Sequence, residues 1–85
     1  MTPRTEVYSA IDGERAYQDS LRARFGEMQH EVGEYLVMFA TYLRKAEDEW
    51  TLNKGTEKAL HQIRKLAGIA VHCMEEHGAP RREGY

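Results

Sequence analysis

The chain has 85 residues, enough for one small domain and no more. Hydrophobic residues make up 41% and charged residues 31%, a balance that excludes a disordered chain, and no apolar run approaches the roughly 20 residues that a membrane-spanning helix needs. A net charge of −2 disfavours general nucleic-acid binding and anionic membranes as partners.

The first stretch, MTPRTEVYSA, carries no apolar core of a secretory signal. Val7, Ile11, Gln18 and Leu21 then fall at helical spacing, with Gly13 interrupting them. Glycine inside a helix costs roughly 1 kcal/mol relative to alanine. This pattern predicts a short helix over about residues 5–19 and a loop to about residue 27.

The second element is more regular. Val32, Leu36, Phe39, Leu43, Ala46 and Trp50 alternate four and three apart, the seam of an amphipathic helix over about residues 28–53. Tyr35, Met38 and Tyr42 widen the apolar arc on one flank. The run Asn53-Lys54-Gly55 supplies a stop, because asparagine and glycine readily take the left-handed cap conformation.

The third element is predicted over residues 56–77. Thr56 serves as N-cap and Glu57 sits in the first turn, where the helix dipole favours an acid. Leu60, Ile63, Ala67, Ala70, Met74 and His77 form its seam; Gly78 and Pro80 end it. The residues from 79 to 85 read as a mobile basic tail. No strand pattern occurs. The expected architecture is all-α: a short N-terminal helix plus a long antiparallel helical hairpin. Its seam is thin for independent folding, and the arc on helix two is wider than one partner helix covers. A homo-oligomer through helices two and three is therefore expected.

Three stretches carry candidate chemistry. In the third helix, Cys73 and His77 are four apart, and so are His72 and Glu76. Two ligands do not make a zinc site, which takes three or four, so this stretch reads as a helix ending with Cys73 as a small core residue. The lone cysteine closes no internal disulfide, which fits a reducing cytosol. No metal or other cofactor is expected. On the same helix His61, Lys65, Gly68 and His72 share one strip, with Arg64 beside it. A mid-helix glycine needs compensation, either close helix packing or room for a ligand beside basic donors such as Arg64. In the first helix, Arg15, Tyr17 and Gln18 form a dense run of hydrogen-bonding groups around an aromatic ring that can stack a base.

The spacing Glu31-x-x-Glu34 resembles the helix-borne carboxylate pair of MazG-type nucleotide pyrophosphohydrolases. That resemblance implies magnesium held by Glu31 and Glu34 and hydrolysis of a nucleotide, although the family's second pair, Glu-x-x-Asp on the next helix, is absent. More broadly, AIDGERAYQDS, HEVGEYL and IRKLAGIAVHCMEEHGAPRR together resemble a family of short proteins of tailed bacteriophages, over about residues 9–82. The resemblance implies phage origin and residence in the cytoplasm of the infected bacterial host. By analogy with other small phage proteins, it also implies a counter-defence role. The chain would bind and sequester a nucleotide immune signal, of cyclic dinucleotide or cyclic ADP-ribose type, at a subunit interface. The residues expected to bind it are Arg15, Tyr17, Gln18, Arg64 and Lys65, with His61, His72 and His77 behind them. A third reading is a non-enzymatic adaptor that grips a host protein through the spare apolar arc of helix two.

Overall fold

The computed structural model describes residues 1–25, 29–52 and 55–84. Helix α1 spans Arg4–Phe25, α2 spans Val32–Leu52 and α3 spans Thr56–His77; Arg82–Gly84 adds one 3-10 turn. No strand occurs among the described residues. None of the helices is long and apolar enough to cross a membrane.

Helix α1 begins where Pro3 offers its carbonyl to the amides of Glu6 and Val7, at 3.0 and 3.2 Å. It continues past the predicted end near residue 19, to Phe25. One glycine penalty is small beside the gain from docking Gln18, Leu21 and Arg22, which all lie past Gly13 on the inner side. Arg22 and Arg24 also place positive charge in the last turn, where the dipole favours it.

Helix α2 starts later than predicted. Residues 29–31 are not helical, and residue 28 lies outside the described residues. The Glu31 carbonyl accepts the amides of Glu34 and Tyr35, and the Glu34 carboxylate turns back to accept the Glu31 amide at 2.8 Å. This is one half of a capping box, in which the third helical residue satisfies the amide of the cap residue. The predicted stop at residues 53–54 also lies outside the described residues. At the start of α3 it is Gly55, not Thr56, that occupies the cap position, in extended backbone and without a side-chain hydrogen bond. Thr56 is already helical because the Gly55 carbonyl accepts the Ala59 amide at 3.0 Å. The end of α3 falls as predicted. Gly78 takes φ = +120°, which suits a residue without Cβ, and its amide bonds to the Met74 carbonyl at 2.8 Å.

Helices α2 and α3 pack along one another, and α1 packs on α3. The buried apolar side chains among the described residues are Tyr35, Ala46 and Ala59. This corrects the expected seam. Of the stripe on α2, Phe39 and Ala46 turn inward, while Val32, Leu36, Leu43 and Trp50 are exposed. On α3, Leu60, Ile63 and Met74 are exposed as well. The reason is Tyr35: its buried hydroxyl needs an acceptor, finds Glu76, and turns the Tyr35–Met38–Tyr42 flank toward α3.

Gly68 is buried where α1 crosses α3. A Cβ there would stand 2.8 Å from both Gln18 Nε2 and Glu14 Cγ. Close packing, not room for a ligand, is what compensates for this glycine. Gly13 is the opposite case, with nothing within 4 Å of the place a Cβ would take. Gly13→Ala is expected to raise stability by about 0.5–1 kcal/mol. Gly68→Ala is expected to lower it by about 1–3 kcal/mol, since a well-packed contact must give way. Urea denaturation of the two variants checks both signs.

Candidate ligand-binding cleft

The position of α1 is set by charge. Glu14 and Arg15 are both buried, 8% and 7% exposed. Glu14 accepts a hydrogen bond from Arg64 Nε at 2.9 Å and one from Gln18 Nε2 at 3.2 Å. Arg15 donates from Nε to Glu75 at 2.8 Å and from NH2 to Asp19 at 2.9 Å. Gln18 also donates to the Lys65 carbonyl at 3.3 Å. Burial opposes the charge of Arg15, but the bonds to Glu75 and Asp19 outweigh it and raise the guanidinium's pKa further. Hydrogen bonds between ionised groups are about twice as strong as neutral ones, so this seam holds α1 down without much apolar contact.

A second polar chain ties α3 to α2. The Tyr35 hydroxyl donates to Glu76, whose carboxylate is also 2.7 Å from His72 Nε2. Arg15 NH2 lies 3.1 Å from His72 Nδ1. An arginine can only donate, so the neutral imidazole with its proton on Nε2 satisfies both contacts. The Tyr35 ring meets His30, His72 and His77 edge-on, with centroids 5.5, 5.9 and 6.1 Å away. The His77 ring also bonds through Nε2 to the His30 carbonyl at 2.7 Å. This joins the last turn of α3 to the segment that leads into α2. Burial first, and then the bond to Glu76, push the Tyr35 phenol above its ordinary range. The same bond holds the Glu76 carboxyl below its own.

Because α1 and α2 both lean on α3 and do not meet backbone to backbone among the described residues, an open cleft runs between them. Its volume is about 510 Å³. The α1 wall is Glu14, Tyr17, Gln18, Leu21 and Arg22; the α2 wall is Tyr35, Met38 and Tyr42, with His30 just before it; the floor is Lys65, Ile69 and His72 of α3. A pocket of this size with aromatic walls and a few polar groups suits a small planar ligand carrying charge.

Of the eight expected binding residues, Tyr17, Gln18, Lys65 and His72 come together in this cleft. His61 and Arg64 lie elsewhere, in an apolar groove of about 390 Å³ between the first half of α1 and α3. His77 borders a small pocket beside His30 and Glu31. Arg15 is not among the lining residues of this cleft and is closed between Glu75, Asp19 and His72. The cleft belongs to one chain, whereas the expected site lay between subunits. Tyr35, Met38 and Tyr42 are the cleft residues that the spacing marks only as a flank of the apolar arc.

Among the described residues no group of three or more His, Cys, Asp or Glu side chains is placed to hold a metal ion. The carboxylate of Glu34 is spent on the Glu31 amide, and next on His30, and both hold its pKa below the ordinary value. The spacing of Glu31 and Glu34 is thus accounted for by the start of α2.

Compared with family models, curated proteins and solved structures, the chain finds no match.

A carboxylate whose folded pKa is depressed contributes stability above its unfolded pKa, and that contribution disappears as pH falls through the folded value. Tyr35→Phe is expected to return the Glu76 pKa toward an ordinary glutamate and to cost about 1–3 kcal/mol near neutral pH. The difference between the two proteins shrinks in acid, below the usual carboxylate range. Carbon-detected NMR titration of Glu76 and denaturation at two pH values measure both effects.

Proposed function

We propose that this chain is a non-enzymatic binding protein that holds a small nucleotide-type ligand in the α1–α2–α3 cleft, as a phage counter-defence protein sequestering a nucleotide immune signal would. The observation that carries the reading is the joining of Tyr17, Gln18, Lys65 and His72 in one cavity with Tyr35 and Tyr42. The Tyr17 ring, 59% exposed, is the one that stacks on a nucleobase, and the buried Tyr35 only backs the wall. The side-chain amide of Gln18, in the α1 wall, is already bonded to the Lys65 carbonyl and Glu14, and so has a fixed orientation. Lys65 supplies the positive charge for phosphate; its ammonium has no ion-pair partner among the described residues. Arg15 and Arg64 do not take phosphate in this reading, because Glu75, Asp19 and Glu14 occupy their guanidiniums. They act one step back, fixing the wall that carries Tyr17. The working form is an assembly of copies, in the cytoplasm of an infected bacterium.

Calorimetry against a panel of cyclic dinucleotides and cyclic ADP-ribose derivatives tests the proposal. At least one compound is expected to bind, and Lys65→Ala and Tyr17→Ala are each expected to weaken it by about tenfold or more, the value of one charge-assisted hydrogen bond or one stacked ring. The compound is recovered intact on denaturation, with or without magnesium. Absence of binding across the panel removes the reading, and recovery of a hydrolysed product replaces it with the enzymatic one.

A further inference from the structure

The folded chain carries more surface than its mass warrants. A compact monomer of 9.8 kDa exposes about 5,200 Å² by the scaling of area with mass, whereas this one exposes 7043 Å². The radius of gyration, 14.1 Å, likewise exceeds the roughly 12 Å of a compact domain of this length. The excess surface, about 1,800 Å², is more than twice the roughly 800 Å² that each partner gives up in a stable interface.

Several large apolar side chains of α2 and α3 are exposed. On α2, Val32, Leu36, Leu43 and Trp50 make a single stripe, on the flank opposite Met38 and Tyr42, which face the cleft. On α3, Met74 lies away from the strip of Lys65, Gly68 and His72 that carries α1, while Ile63 borders the groove between α3 and the first half of α1. The α2 stripe and Met74 therefore lie on the side of the α2–α3 pair turned away from the cleft. That face is paired helix beside paired helix, the shape that a second identical pair completes as a four-helix bundle. A two-fold axis through it makes the surface its own complement.

We propose that this face is the interface with a second copy of the chain, burying Leu36, Leu43 and Trp50 against the same residues of the copy. The proposal specifies the assembly invoked under the functional reading, and it leaves the cleft open to solvent on the far side. It requires no ligand, so it stands or falls separately from the nucleotide panel.

Sedimentation of the full, ligand-free chain over nanomolar to 100 micromolar concentrations tests it. The expected species is a dimer or a higher even multiple of 9.8 kDa. Leu43→Glu is expected to raise the dissociation constant by about a hundredfold or more, because it buries an unpaired charge in the interface, while helicity by circular dichroism is kept. Trp50 gives a readout that needs no variant, as the chain's one tryptophan, 61% exposed in the single chain. Iodide is expected to quench it poorly in the concentrated wild type and freely on dilution. A wild-type chain of 9.8 kDa at every concentration overturns the proposal. So does a Trp50 open to iodide throughout, a Leu43→Glu protein that assembles like wild type, or a chain that pairs only with a bacterial protein.

Discussion

The seam of charge between α1 and α3 is the constraint on which the rest of the architecture depends. Two helices separated by only three residues of sequence find one another through short-range contacts. The third has no such connection and must be held by what its own side chains offer. Glu14, Arg15 and Gln18 offer hydrogen bonds, and α3 answers with Arg64, a main-chain carbonyl and Glu75. Neither Glu14 nor Arg15 is tolerable when buried alone, so each enforces the presence of its partner. Gly68 lets the two backbones come near enough for those bonds to close. The cleft is a by-product of this arrangement, because a helix fixed to α3 by polar groups need not also cover α2.

The same logic explains why the interior is so sparse. The space that apolar side chains would fill in a larger domain is taken by Tyr35, three histidine edges and a carboxylate. Hydrogen bonds set the rotation of α2 about its axis, and the large aliphatic residues are then left on the outside. An apolar stripe that faces water in one chain is a cost unless something covers it, and the excess area measures how much there is to cover.

Sequence alone revealed what is local. Helices two and three, the stop at Gly78 and the acid in the first turn of α3 follow from neighbours within a few positions, and these agree with the structure. Three things were not legible. The length of α1 depended on weighing Gly13 against docking contacts on another helix. The inward face of α2 depended on Tyr35 meeting Glu76, 41 residues away. The fate of Arg15 depended on Glu75, 60 residues away. Periodicity finds an apolar stripe but does not say which edge of it turns inward, and a basic strip does not announce that acids across a helix crossing already claim its arginines. The cleft was half legible for the same reason: Tyr17, Gln18, Lys65 and His72 announced themselves as polar or aromatic groups on α1 and α3, whereas Tyr35 and Tyr42 looked like ordinary helix packing.

Of the two ion pairs that tie α1 to α3, Arg15–Glu75 has an acidic end more than half exposed, whereas the Glu14 end of the other is buried. Dissolved salt reaches the exposed end and weakens its pull, while it leaves the nearly inaccessible Tyr35 hinge of α2 and α3 largely untouched. Ionic strength therefore acts unequally on the two helix contacts, and the Arg15–Glu75 tie of α1 is the one it weakens first.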